Sequence, residues 1–377
     1  MSLDYELLRI IWWLIIGVLL IGFAVMDGFD LGVGIWLRSI AKTDMERRIL
    51  INSIGATWEG NQVWFILGGG ALFAAWPMLY AVSFSGFYLA MLVVLLALIL
   101  RPVGFKYRSK LKDPRWRNFW DWALFVGGFV PALIFGVAVG NVIQGVPFFI
   151  DINLRPFYTG TFLQLLNPFA LCSGLLSVLM LAMHGAFFLQ VKTTGLLQQR
   201  AKQRAQICAV LVPMLFALCG YWVATRINGY VINGEIPHDG PSNPLYKSVS
   251  QQLGGWMFNY INYPWFILAP LLSIGSALLA ALIVSWTRVA FVLSAVSVGG
   301  LIATVGLSMF PFILPSSTHP GNSLVVWDSS SSQTTLFIML LATVFILPVV
   351  LVYTAWVYRV LRGKVTQESV MAEDGSY

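Results

Sequence analysis

Nine stretches of roughly twenty or more mostly apolar residues follow one another along this chain, at about 9–36, 54–74, 78–100, 120–146, 162–190, 204–226, 263–285, 289–312 and 334–358. A helix needs about 20 such residues to cross a bilayer, so a run of nine predicts an all-α, polytopic membrane protein. The segments between them are too short to build a soluble domain. Only 10% of the 377 residues are charged, against about 25% in soluble domains, which excludes a soluble fold and a disordered chain alike. The segment at 54–74 gives the weakest span signal, because Trp58-Glu59-Gly60-Asn61-Gln62 lies near its start. The two longest external connections, 227–262 and 313–333, are polar and turn-rich, and read as surface loops.

The net charge of +7 does not imply nucleic acid, because Lys and Arg fall in short clusters between the apolar runs. With the N-terminus outside, nineteen lie in cytoplasmic connections and four (Arg9, Arg155, Arg226, Lys247) lie outside. That asymmetry orients the chain, with a periplasmic N-terminus and a cytoplasmic C-terminus. Cys172, Cys208 and Cys219 lie in apolar segments without CxxC spacing and read as small buried hydrophobes.

Ionisable groups inside a bilayer cost a few kcal/mol each and are functional candidates by default. Asp27 and Asp30 lie three apart in the first span, hence on one helix face, with Gly28, Gly32 and Gly34 leaving room for another backbone. Glu59, Asn61 and Gln62 lie in the second span between Trp58 and Trp64. Asp27 precedes Arg38 by 11 residues and Glu59 follows Arg48 by 11, which predicts that the two acids share a depth and face one another across a hairpin. Such acids, bridged by Asn61 and Gln62, suit a proton relay; the alternative is a set of structural acids bonded to neighbouring helices or to Arg101. Asp121, in Trp120-Asp121-Trp122, is expected at a helix N-terminus, where the dipole favours a carboxylate. His184 is the one histidine inside a span and a candidate haem ligand. With His238 and His319 in external loops, three histidines are too few for a multi-haem centre. No P-loop, GxSxG or metal-ligand cluster occurs in the sequence.

Asp27-Gly28-Phe29-Asp30-Leu31-Gly32, Trp58-Glu59-Gly60-Asn61-Gln62-Val63-Trp64, Gly69-Gly70-Ala71-Leu72-Phe73-Ala74-Ala75-Trp76-Pro77, Arg101-Pro102-Val103-Gly104-Phe105, Gln144-Gly145-Val146-Pro147 and Phe310-Pro311-Phe312 resemble, in order and along essentially the whole chain, subunit II of the cytochrome bd quinol oxidases. The resemblance implies two four-helix bundles plus one helix, in a bacterial inner-membrane heterodimer. Its larger subunit I would carry haems b and d and oxidise quinol while O2 is reduced to water, and small single-span subunits often join. It further implies that subunit II ligates no haem, braces its partner and shapes proton or oxygen access; some members hold a structural quinone or lipid. Carried over by position, Glu59 matches an acid of the cytoplasmic proton path, with Asp27 and Asp30 beside it; Arg101 and Asp121, read from the residues themselves, are expected in support. Trp64, near Trp58, matches an aromatic at the proposed oxygen entry. Thr57, Glu59 and Lys106 stand where many members have His, Asp and Asp. Competing expectations are a purely structural assembly subunit and a proton-coupled transporter.

Overall fold

Capping side chains set the starts of four of the α-helices. In the computed structural model, which describes residues 3–372, α1 spans Tyr5–Ile40 and α2 spans Asp44–Gly55. Helix α2 opens on a capping box in which the Thr43 hydroxyl accepts from the Glu46 backbone and the Glu46 carboxylate accepts from the Thr43 backbone. Next come α3 (Trp58–Ala75), α4 (Pro77–Gly86), α5 (Tyr88–Tyr107) and α6 (Pro114–Gln144). Asp113 caps α6 and Pro114 fills its first turn, where a missing N–H is harmless. Then follow α7 (Pro168–Lys192), capped by Asn167, α8 (Gly195–Arg226), the short α9 (Phe258–Asn262), α10 (Leu268–Leu282), α11 (Thr287–Met309), α12 (Gln333–Val360), capped by Ser332, and α13 (Gln367–Ala372).

Among the described residues, eight helical segments are long and apolar enough to cross a membrane: α1, α5, α6, α7, α8, α10 with the 3-10 turn before it, α11 and α12. The expected span at 54–74 corresponds to α3, an 18-residue helix along α1 that falls outside that set. Its glycines and the polar run at its start dilute its apolar character. The expected span at 78–100 is divided at Phe87 between α4 and α5.

Helices α7, α8, α10 and α11 close into a ring of four, each packed on the next. Helices α3, α1, α6 and α5 pack side by side in that order as the second group, joined to the first where α7 meets α1 and α6. Helix α12 leans on α1 and α3 with little of its surface covered. This all-α arrangement agrees with the expected fold class.

The connections at the end opposite the Lys/Arg-rich loops carry three small antiparallel ladders: β1 (Phe148–Ile150) with β2 (Pro156–Tyr158), β3 (Asn228–Asn233) with β4 (Ser248–Leu253), and β5 (Phe312–Leu314) with β6 (Leu324–Val325). The 227–262 segment is therefore a hairpin with Asn228 opposite Leu253, rather than an irregular loop. Val231, Ile232 and Val249 supply the β-branched residues that favour strands.

Candidate functional site

Glycine positions set the geometry around the two aspartates. A Cβ on Gly32 would lie 2.2 Å from the Leu181 carbonyl oxygen and 2.8 Å from Gly185 Cα, so α1 and α7 cross there backbone to backbone. Gly34 does the same against Gly128 of α6, and Gly127 clears space for the stem of Arg101. The face of α1 carrying Asp27 and Asp30 is thus drawn fully into the interior, where both acids are 1% exposed.

The two carboxylates have different partners. Arg101, reaching from α5, donates Nη1 to Asp27 Oδ2 at 3.0 Å and Nη2 to Asp27 Oδ1 at 2.8 Å. This planar fork is the strongest geometry available to an arginine and a carboxylate. Asp30 has no such fork: its Oδ2 accepts from Asn61 Nδ2 at 2.8 Å, and its Oδ1 is buried without a hydrogen-bond partner among the described residues. Beside Asp30 and Arg101 lies a small cavity lined by Val33, Leu37, Ile51 and Ile54, running toward α2 at the basic end of the bundle. It has room for about one water. Asn61 in turn accepts from the Tyr358 hydroxyl at 2.7 Å.

Glu59 does not join this group, and the expected facing of Asp27 and Glu59 does not occur. On α3 the inward stripe is Trp58, Asn61, Trp64 and Gly68, while Glu59, Val63, Ile66 and Phe73 share the opposite, exposed stripe. Glu59 makes no hydrogen bond or ion pair among the described residues, and neither does the half-buried Gln62. Depth differs as well. The chain between Arg48 and Glu59 is interrupted between α2 and α3, so counting residues from Arg48 misplaces the acid. With Asn61 level with Asp30, Glu59 lies about 7–8 Å nearer the basic end than Asp27.

Trp58 packs on Phe105 with centroids 5.2 Å apart and lies 5.8 Å from the Arg101 guanidinium. Trp64 covers Gly22 of α1. Asp121 departs from the dipole expectation. Helix α6 begins at Pro114, so Asp121 lies two turns inside it, fully buried between Arg47 at 3.0 Å and Arg108 at 2.5 Å. Arg108 continues to Asp44 at 2.8 Å, which also binds Arg117, tying α2, α5 and α6 together at the basic end. His184 is fully buried, with Nδ1 2.7 Å from Ser294 Oγ and Nε2 2.9 Å from the Val25 carbonyl. Both ring nitrogens are engaged, so the residues present do not fit an axial haem site. No cluster of three or more metal-ligating side chains occurs among the described residues.

Sequence reasoning missed Tyr358, the Asp44–Arg108–Asp121–Arg47 network and the buried Lys247–Asp328 pair, 2.5 Å apart in the connections of the opposite end. These contacts join residues tens to hundreds of positions apart, and no local spacing marks them.

A polytopic helical bundle whose interior holds an aspartate–arginine fork beside a second buried aspartate defines a multi-pass membrane protein with ionisable groups in its core. The sequence matches the family described as cytochrome bd terminal oxidase subunit II over residues 8–361, and the chain belongs to that family. It is 51% identical over 370 residues to cytochrome bd-I ubiquinol oxidase subunit 2 of Escherichia coli (strain K12), covering 98% of each chain. It is 50% identical to a probable cytochrome oxidase subunit 2 of Haemophilus influenzae, covering 96% of each. It is 31% identical to cytochrome bd ubiquinol oxidase subunit 2 of Bacillus subtilis, over 96% of this chain and 98% of the relative. Among solved structures, a chain of the bd oxidase from Geobacillus thermodenitrificans superposes with a TM-score of 0.68 at 15% identity, covering 94% of this chain and 98% of that one, a likeness of fold. The chain is thus a multi-pass membrane subunit of a bacterial respiratory oxidoreductase, which bears out the resemblance read from its motifs.

Proposed function

We propose that this chain is the non-haem subunit of a quinol:O2 oxidoreductase of the bacterial inner membrane, and that Asp30 carries protons within it. The chain braces a haem-bearing subunit I, with its basic end in the cytoplasm and its N-terminus in the periplasm. The nineteen-to-four partition of Lys and Arg supports that orientation. The observation that carries the proton reading is the unpartnered Oδ1 of Asp30, a residue lining a cavity that reaches Ile51 and Ile54 of α2. Arg101 is committed to Asp27, so Asp30 alone of the two aspartates lacks a bound counter-charge. A water in the cavity would bring the proton to Oδ1 from the basic end. Glu59, the acid on the exposed stripe of α3, would exchange protons at the surface of the subunit. Trp58 backs the cavity wall through Phe105, and Trp64 seals α3 against α1 at Gly22.

The test is Asp30→Asn and Glu59→Gln in the assembled oxidase, with quinol-driven O2 consumption and haem absorption measured together. Loss of about tenfold or more in turnover with the haem spectrum intact supports the reading, the scale on which a positioned acid–base group acts. The second reading, a structural subunit that conducts nothing, draws on the complete pairing of Asp27. It predicts unchanged turnover and proton uptake in both variants, and that outcome overturns ours.

A further inference from the structure

Tyr358 lies two residues before the end of α12, on a helix whose main contacts with the bundle run along α1 and α3. Its ring meets Phe29 edge to face at 6.4 Å. Its hydroxyl donates to Asn61 Oδ1 at 2.7 Å, and the Thr57 hydroxyl lies beside it. Asn61 Nδ2 then donates to Asp30 Oδ2 at 2.8 Å.

These contacts have a directional consequence. An asparagine amide has one accepting end and one donating end. Left to itself in this pocket, Asn61 could present Nδ2 to an ionised Asp30 or turn Oδ1 toward a protonated one, following whatever Asp30 does. The Tyr358 hydroxyl, donating to Oδ1, favours the orientation in which that end points away from Asp30; the reverse would require the hydroxyl to turn and accept from Nδ2. In that orientation Nδ2 faces the carboxyl group, and a proton on Oδ2 would meet an N–H rather than an acceptor. The other oxygen, Oδ1, has no donor on it among the described residues, and Asp30 is one of the residues lining the cavity.

We infer that Tyr358 is a positioning residue: acting through Asn61, it biases the exchangeable proton of Asp30 toward Oδ1, the oxygen that accepts no hydrogen bond among the described residues. This rests on the reading of Asp30 as a proton carrier. The charged groups bordering Asp30 are Asp27 on its own helix and Arg101 from α5, which are occupied with each other. Tyr358 brings no charge and acts by direction alone. Its signature is therefore a change in the hydrogen bonding of Asp30 rather than the loss of a titrating group.

The experiment uses the assembled oxidase carrying Tyr358→Phe, which keeps the ring against Phe29 and removes only the hydroxyl. Infrared difference spectra recorded during turnover report the carbonyl stretch of the protonated Asp30 carboxyl, assigned by its disappearance in Asp30→Asn. In Tyr358→Phe this band is expected to shift or split as the amide becomes free to turn, and turnover to fall about threefold to tenfold, the worth of one hydrogen bond. In an Asn61→Leu background, or Asn61→Ala should that variant not assemble, Tyr358→Phe is expected to add nothing. An unchanged Asp30 band in Tyr358→Phe, or fully additive effects of the two substitutions, overturns the inference. If Asp30→Asn turns over normally, the proton-carrier reading fails by itself, and the band comparison in Tyr358→Phe still decides whether Tyr358 directs the Asp30 proton.

Discussion

Arg101 grips Asp27 through both terminal nitrogens, at 3.0 and 2.8 Å, with both side chains at most 3% exposed. One guanidinium thus serves a pair of carboxylates lying one helical turn apart, and all of its paired geometry goes to one of them. Removing one member of such a pair strands a charge in an apolar interior. Arg101→Met is expected to destabilise the subunit by about 3–5 kcal/mol, and the double variant Arg101→Met with Asp27→Leu to return to within about 1 kcal/mol of the native protein. Arg101→Lys is expected to rescue only in part, because an ammonium cannot make the two parallel bonds. Thermal unfolding of the purified complex in detergent, with the native protein and these three variants in parallel, measures each value.

The crossing of α1 and α7 predicts a graded response to methyl groups. At Gly32 and Gly185 an added Cβ meets backbone of the other helix at 2.2–2.8 Å, and backbone cannot swing aside. At Gly28 the obstacle is the end of the Leu181 side chain, and at Gly17 nothing lies within 4 Å. Gly32→Ala and Gly185→Ala should each cost about 1–3 kcal/mol, Gly28→Ala less, and Gly17→Ala essentially nothing. Melting temperatures of the four variants give the order.

What was legible in the sequence separates by physical range. Spans are properties of about twenty consecutive residues, so eight of the nine expected spans overlap helices long and apolar enough to cross a membrane, the one at 78–100 only through α5, and the family motifs are as local. The inward face of α1 was readable because Asp27, Asp30, Gly28 and Gly32 are spaced for one side of one helix. Rotation between helices was not. Whether Glu59 or Asn61 meets α1 depends on where α3 begins, and the break at Ala56 and Thr57 turns the helix by an amount that no residue count contains. Asp121 departs from expectation for a related reason, since Pro114 starts α6 six residues ahead of the expected boundary. Tyr358 could not be found at all, because its partner Asn61 lies 297 positions away.

In the connections opposite the basic end, Lys247 and Asp328 form an ion pair with side chains only 2% and 6% exposed. Burial pushes the Asp328 carboxyl above its ordinary range, despite the pull of Lys247, and pushes the Lys247 ammonium below its own, despite Asp328. Both shifts run toward the neutral forms, so desolvation outweighs the attraction within the pair. Breaking it from one side should therefore hurt more than removing it. Asp328→Asn alone leaves an unpaired buried ammonium and is expected to cost about 3–5 kcal/mol. Adding Lys247→Met should bring stability back to the native level or slightly above it, as thermal unfolding of the single and double variants would show. The amide carbonyl that Asp328→Asn introduces would still accept the Val325 N–H that Asp328 Oδ1 accepts at 3.0 Å.

Glu46 offers the opposite sign. Burial alone would push its carboxyl up, but the backbone N–H groups of Lys42 and Thr43, with Arg200 of α8, outweigh that and hold it below its ordinary value of 4.5. A carboxyl depressed by folding adds stability above its unfolded value, and that stability is lost as pH falls through the folded one. Glu46→Gln keeps an acceptor for the two backbone donors and discards the charge. At pH 7 the native protein should therefore melt above the variant. As pH falls below about 4.5 the difference should shrink, and it should vanish once the native Glu46 is protonated as well. The comparison cancels every other acid in the complex, because all of them titrate in both proteins. A difference in melting temperature that stays constant from about pH 7 to about pH 3.5 would mean that Glu46 contributes by capping α2, and that its charge on Arg200 adds nothing.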